Sequence, residues 1–444
     1  MSSSQVLAVG VLVGSLVLQA ALPQRRLLVV MVGAGLACLS SALHGLGGAA
    51  ALMAEVPWDV LVILAGLGLL TQLFVESRLF GVLAASSARR SGANPRLVLL
   101  LFAVVMYLVS CLANNLTALL LVLPVLLTLF KLLVVDRRYL SWCLGTLIVS
   151  CNLGGAATPI GDFPAILLLG RGSMSFSAYL VAAAPPTAVA LVLLLGVVLL
   201  VVRPARGLTA DAVSRRLSVA VMDALHRQVR VQRRVLAPPA IALALMLVAW
   251  VAVPRSSGVG PELICWIGVG GALLCLPRLG ERLLRQRVDV EAALFLLALF
   301  VMVAAVRRTG MFQDVAQAIA ALPIPPILQL ITFLVLAGLL TGVFSAGPSM
   351  AALLDVATEL ATRFPPTAVY VGLALSVCAG SSLFLTAATS GPMAQALTER
   401  AGLLDARGQP LRFGFFEFLP VGLLSFGLIQ AVGIAGVLLA VNLG

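Results

Sequence analysis

The chain has 444 residues, 61% hydrophobic and only 10% charged, with a mean hydropathy of +1.13. A soluble domain carries about 25% charged residues, so a water-soluble fold is excluded. The formal net charge of +12 does not point to nucleic acid, because the arginines lie in short segments between apolar runs, where basic residues hold loops in the cytoplasm.

Apolar runs of about 17–25 residues recur, the length that crosses the hydrocarbon core. They are continuous rather than alternating, which excludes a membrane β-barrel. The seven cysteines form no CxxC pair, so neither a disulfide framework nor a metal site is indicated. The run from Val6 to Leu22 lacks a basic start and reads as a retained span, not a cleaved signal.

Spans are expected at about 5–23, 27–46 and 56–77, with residues 1–55 as N-terminal scaffold spans. Basic clusters at Arg25-Arg26, Arg78 to Arg96, Lys131 to Arg138, Arg203 to Arg234, Arg278 to Arg287 and Arg400 to Arg412 mark the cytoplasmic side. Residues 56–202 form a first repeat. Within it, the run 97–130 has basic residues at both ends and Asn114-Asn115 at its centre. Both ends want one side, which gives a re-entrant hairpin, with a simple two-span helical pair as the alternative; re-entrant backbone survives only when buried in protein or lining a cavity. An interrupted span at about 140–170 and a return span at about 178–202 follow.

Residues 203–235 are arginine-rich, with Val213, Leu217, Val221 and Leu225 at spacing four. This predicts an amphipathic linker on the anionic inner leaflet; a regulatory partner-binding helix is the alternative. Two scaffold spans are expected within 236–287. Residues 288–444 form a second repeat with a hairpin at 327–362, an interrupted span at about 367–399 and a last span at about 412–442.

A shift of 232 residues superimposes Asp59 on Glu291, Phe80 on Phe312, Thr117 on Ser349 and Leu121 on Leu353. Asp59 begins a span from outside, whereas Asp289 and Glu291 begin one from the cytoplasm, so the repeats are inverted. Interrupted segments at matching places in two halves point to a transporter binding site. The expected fold is therefore an all-α polytopic membrane protein with inverted repeats, two re-entrant hairpins, interrupted helices and about 10 spans.

Four polar interruptions should meet at mid-membrane. They are Asn114, Asn115 and Thr117; Asn152, Gly154, Gly155, Thr158 and Asp162; Ser345, Gly347 and Ser349; and Ser381, Ser382, Thr386, Thr389 and Ser390. Gly and Pro open the backbone. Half-helix N-termini favour an anion, and unwound carbonyls favour Na⁺. Asp162 is the candidate proton carrier, since an ionisable group in a span is costly and usually functional; the alternative is an end-of-span residue paired with Arg171. Asp355 and Glu359, four apart, are candidates to face one aqueous funnel. Gly338 and Gly342 form a small-xxx-small pair for close helix approach. Catalytic and phosphate-loop motifs are lacking, which argues against an enzyme or a primary pump.

The stretch SCNLGGAATPIGDFP, Ser150 to Pro164, resembles the signature of the ArsB/NhaD branch of the ion transporter superfamily, which is related to the divalent anion/sodium symporters. NNLTALLLVLP, Asn114 to Pro124, looks like that family's first hairpin tip, and Val56-Pro57-Trp58-Asp59 and Gly402 after Glu399-Arg400 fit its layout. The resemblance implies a scaffold domain and a moving transport domain in each protomer, usually dimeric, with elevator-type alternating access. By position it makes Asn115, Thr117, Asn152, Thr158 and Asp162 the first-repeat site, with Ser345, Ser349, Ser381, Ser382 and Thr389 as counterparts.

The chain departs from the pattern at Asn114, where arsenite and sodium–proton members carry Asp. It departs again at Ala346-Gly347, where members carry Asn, and at Ala379, aligned with Asn152. The second half has lost most side-chain ligands, which favours protons over a symmetric pair of Na⁺ sites. The expectation is a secondary transporter of a small anion or neutral oxyacid in the cell inner membrane. It needs no cofactor beyond H⁺ or Na⁺ as coupling ion. Its partners are the small substrate, the bilayer and a second copy as homodimer, with no nucleic acid. A sodium–proton antiporter is one alternative, weakened by the missing carboxylate at 114. An anion channel is the alternative of another class.

Overall fold

The computed structural model describes residues 2–22, 25–170, 173–206, 220–221, 223–224, 230–253, 258–286, 290–388 and 390–443. Among the described residues the fold is helical, apart from an isolated bridge between Leu404 and Pro410, and nine helices are long and apolar enough to cross a membrane. With no water in the hydrocarbon core, helices satisfy every backbone group internally.

The opening helices are α1 (Ser3–Ala21), α2 (Arg26–Leu43) and the short α3 (Ala49–Ala54). The first repeat runs through α4 (Trp58–Glu76), α5 (Leu79–Arg90), the hairpin α6 (Pro95–Ser110) and α7 (Asn115–Leu133), the broken pair α8 (Arg137–Ala157) and α9 (Phe163–Gly170), and α10 (Phe176–Val202). Next come α11 (Arg233–Ala252), α12 (Pro261–Leu274) and α13 (Pro277–Gln286). The second repeat follows the same plan: α14 (Val290–Arg308), α15 (Met311–Ala320), the hairpin α16 (Pro326–Phe344) and α17 (Ala346–Leu360), the broken pair α18 (Pro366–Ser381) and α19 (Gly391–Ala401), and α20 (Phe415–Leu443). Most of the expected linker, with Val213, Leu217 and Leu225, lies outside the described residues, as do Arg171, Asp289 and Thr389.

Asp59 and Glu291 are each the second residue of their helix, and so are Phe80 and Phe312. Beyond that point the uniform shift fails. Thr117 is the third residue of α7 but Ser349 the fourth of α17, because the hairpin arms differ in length. In the broken span the equivalence is carried by packing. A Cβ on Gly154 would strike the Tyr107 carbonyl and crowd Ser110 Cβ; one on Gly380 would strike the Gly338 carbonyl and crowd Thr341 Cβ. Gly154 therefore matches Gly380, and Cys378, not Ala379, stands where Asn152 stands.

The breaks also move. The expected interruption at Asn152–Gly155 is inside α8, which continues to Ala157; the backbone opens at Thr158 to Asp162. In the second repeat α18 continues through Ser381 before it opens. The glycines serve close helix approach here, as in small-residue membrane interfaces, and leave the helical hydrogen bonds intact. Gly338 and Gly342 act as expected: a Cβ on Gly338 would crowd the Ser376 carbonyl, and one on Gly342 would strike the Leu383 side chain.

Capping differs between the repeats. Asn94, Asn114, Asp136 and Ser175 each accept a first-turn N–H at the starts of α6, α7, α8 and α10. In contrast, α16 and α18 begin on proline, and α17 has no side-chain cap. Proline at a first position removes a donor that would be orphaned anyway.

Packing sorts the helices into two groups. α2 lies against α1 and α14, while α12 lies against α11 and α4. The hairpins, broken spans, α10 and α20 pack on one another: α6 on α8, α16 and α20 on α18, α10 on α8. The groups meet where α9 lies on α4 and α12, where α17 lies on α14, and at thinner contacts of α10 with α11 and α1 with α16.

Candidate functional site

The break between α8 and α9 leaves orphaned backbone groups, and the local sequence supplies their partners. Tyr179 donates its hydroxyl to the Ala156 carbonyl at 2.8 Å, capping the end of α8. Thr158 donates to the Cys111 carbonyl at 2.6 Å, tying the break to the first hairpin tip. Asp162 starts α9: its carbonyl accepts from Ile166 N–H, and its carboxylate accepts from Phe163 N–H at 2.9 Å. A carboxylate at a helix N-terminus is favoured by the helix dipole.

Asn115 joins the hairpin tip to this carboxylate. Its amide nitrogen donates to Asp162 Oδ2 at 3.0 Å, and its oxygen accepts from the Ser110 hydroxyl at 2.6 Å. Gly155 admits the approach, since a Cβ there would crowd both Asn115 Oδ1 and Asp162 Cβ. Asn152 carries the network across the repeats. Its amide donates to the Ser381 carbonyl at 3.2 Å and the Ser382 hydroxyl at 3.1 Å. Ser382 passes the bond on to the Cys378 carbonyl at 2.9 Å.

A small cavity of about 10 Å³ lies at this junction, lined among others by Asn152, Asp162, Tyr179, Ala346, Cys378 and Ser381. That volume holds about one water molecule. Its lining comes from both broken spans and from the second hairpin tip. No Lys, Arg or His is among its lining residues, so Asp162 supplies its formal charge.

The other expected residues divide. Asn114 is exposed and caps its own helix, accepting from Thr117 N–H at 2.8 Å. Gly347 faces the Phe163 ring at contact distance, and Phe163 in turn packs on Phe300 with ring centroids 6.1 Å apart. Ser345 holds a positive φ of 71° at the second tip. Ser349 and Ser390 are buried with unpartnered hydroxyls. Thr386 is exposed and off the cavity. Asp355 and Glu359 do not share a funnel: Asp355 pairs with Arg307, and Glu359 is exposed. Ser110, Tyr179 and Cys378 were not anticipated. Ser110 lies five residues before Asn115, a spacing visible in the sequence, but no sequence pattern brings Tyr179 or Cys378 to Asp162.

Residues 16–380 match the family model described as CitMHS, citrate transporter. The chain belongs to the CitMHS citrate transporter family, permeases of the ion transporter superfamily. An uncharacterised transporter of Mycobacterium tuberculosis is 28% identical over 79% of this chain and 80% of its own length. The magnetosome protein MamN of Paramagnetospirillum magneticum is 26% identical over 91% and 92%. The crystal structure of the Alcanivorax borkumensis YdaH transporter, described as having an unusual topology, shares the fold at a TM-score of 0.58 and 16% identity, covering 88% of this chain and 86% of that one. A CitMHS chain with these spans is a multi-pass membrane transporter. In this member, the family's region of match contains the first hairpin, the whole first break and the helix that carries Cys378 and Gly380.

Proposed function

We propose that this protein is a proton-coupled symporter of a small carboxylate or related oxyanion, working by elevator-type movement in the cell inner membrane as a homodimer. The observation that carries the reading is Asp162, a carboxylate at the meeting point of both repeats with no basic side chain in its cavity. An anion about 4 Å from an ionised carboxylate is repelled by about 4 kcal/mol at an effective dielectric of about 20. That corresponds to about a thousandfold in affinity. Protonation removes the repulsion and turns Asp162 into a donor. Proton and anion then occupy the site together and travel in the same direction.

The substrate in the family's name, citrate, fits a carboxylate or related oxyanion. A cavity of about 10 Å³ does not hold such a molecule, so loading requires relative movement of the packed groups. The division of the helices into two groups is what supports the elevator part of the proposal. Sodium is less favoured because the second repeat offers Ala346, Gly347 and Cys378 where a symmetric pair of sodium sites needs side-chain oxygens.

The test is uptake of labelled citrate and smaller carboxylates into proteoliposomes under an imposed inward proton gradient. Saturable, gradient-driven uptake that disappears in Asp162→Asn supports the reading. Uptake by Asp162→Asn with unchanged pH dependence removes the proton role. Conductance above carrier rates replaces the transporter with a channel.

A further inference from the structure

The two helix groups are joined by a charge cluster distant in sequence from the site. Arg307, in the last turn of α14, grips Asp355 of α17 with two nitrogens, at 2.9 Å to Oδ1 and at 2.9 and 3.0 Å to Oδ2. This pair crosses between the groups, because α14 packs with α2 and α1, whereas α17 belongs to the second hairpin. Among the described residues, the ion pairs of Arg282 with Glu76 and Arg308 with Glu55 lie within one group, and that of Arg137 with Glu417 within the other.

Glu55 follows α3 and has a divided role. Its Oε1 accepts from Arg308 Nε at 2.6 Å. Its Oε2 is buried and accepts no hydrogen bond, yet lies 3.6 Å from Arg307 Nη1. Arg308 is fixed by the Leu46 and Ala51 carbonyls, so Glu55 is held in place from its own side. The side chains are largely buried, with Arg307 27%, Glu55 26% and Asp355 14% exposed. In such a setting, removing one partner of a pair leaves an uncompensated charge, which is strongly unfavourable.

We propose that Arg307 is an exchange latch. It holds Asp355 in the present state, and when the second hairpin moves away it transfers to the waiting Glu55 Oε2. Glu55 Oε2, already ion-paired with Arg307 Nη1 at 3.6 Å but accepting no hydrogen bond, is the second acceptor that keeps the arginine paired in both states. The latch thus lowers the barrier to movement while still holding each end state. It rests on the two-group movement proposed above.

The exchange makes the two carboxylates act in opposition. Asp355→Asn weakens the present state, and Glu55→Gln weakens the alternative. The reporter is Cys378, which lines the Asp162 cavity, in full-length protein whose other cysteines are alanine. Its labelling by a small methanethiosulfonate is timed in proteoliposomes. The labelling rates of Asp355→Asn and Glu55→Gln are expected to fall on opposite sides of the unsubstituted rate and to differ by about fivefold or more, as a population shift of that size dictates. Equal rates, or changes in the same direction, overturn the exchange.

A second experiment separates this from the transport mechanism. Arg307→Cys/Asp355→Cys is bridged with a short bis-methanethiosulfonate, and citrate uptake is compared before and after bridging. Arrest by the bridge, with opposed labelling rates, supports the latch. Arrest with equal rates leaves the movement standing and removes the exchange. Undiminished uptake after bridging removes both.

Discussion

The two broken spans share a backbone frame and differ in chemistry. In the first repeat, Gly154 lets α8 touch the hairpin at Tyr107, and the polar side chains Ser110, Asn115, Asn152 and Asp162 join into one network. In the second, Gly380 makes the same approach at Gly338, but the tip offers Ala346 and Gly347, and Cys378 replaces the amide of Asn152. The second half contributes carbonyls, hydroxyls and shape. Symmetry in this fold is a property of close packing, whereas the ionisable chemistry sits on one side of it.

The sharpest way to break that comparison is Asp162→Asn. Proton-driven uptake should fall by about 100-fold or more, in the range seen when a proton-transferring group is removed, and the remaining uptake should be flat with pH. Melting temperature and monodispersity should stay near those of the parent protein. Uptake that still follows the proton gradient would move the coupling group elsewhere.

Asn115→Ala comes next. It removes a hydrogen bond to a charged group, worth about 1.5–3 kcal/mol, so uptake should fall by about 10- to 100-fold. Ala346→Ser, at the first position of the corresponding arm, should change uptake by no more than about twofold. Equal losses at the two tips would show that the chemistry is symmetric after all.

The shared frame is tested by Gly154→Ala and Gly380→Ala. Each should destabilise by about 1–3 kcal/mol through overpacking, read as a similar drop in Tm in detergent. A large loss at one position and none at the other would refute the packing equivalence. The smallest effect is expected for Asn114→Ala. Loss of an N-cap costs about 1 kcal/mol, and uptake should stay within about twofold, because Asn114 serves the helix and not the cavity.

Much of the architecture was legible in residue order alone. The apolar runs marked the spans, and Asp59 and Glu291 marked equivalent helix starts. The hairpin tips were found near Asn115 and Ser345 because polar residues interrupt apolar runs there. The breaks were misplaced by a few residues, since glycine in a membrane helix reads equally as an opening or as a packing surface. Gly154 and Gly155 are the latter. Asn114 illustrates a related ambiguity: an Asn before a helix caps it as readily as it binds a ligand, and here it accepts from Thr117 N–H.

The order of apolar and basic segments, by itself, determined that this chain spans a membrane many times, that its halves are inverted, and to within a few residues where its helices break. Local hydropathy and loop charge suffice for that, because the bilayer imposes them segment by segment. Only the tertiary structure decided that Asn152 reaches Ser381 and Ser382, that Tyr179 and Cys378 face Asp162, and that Arg307 stands between Asp355 and Glu55. Those contacts join residues far apart in the chain, and they depend on crossing distances set by glycines whose partners the sequence does not name.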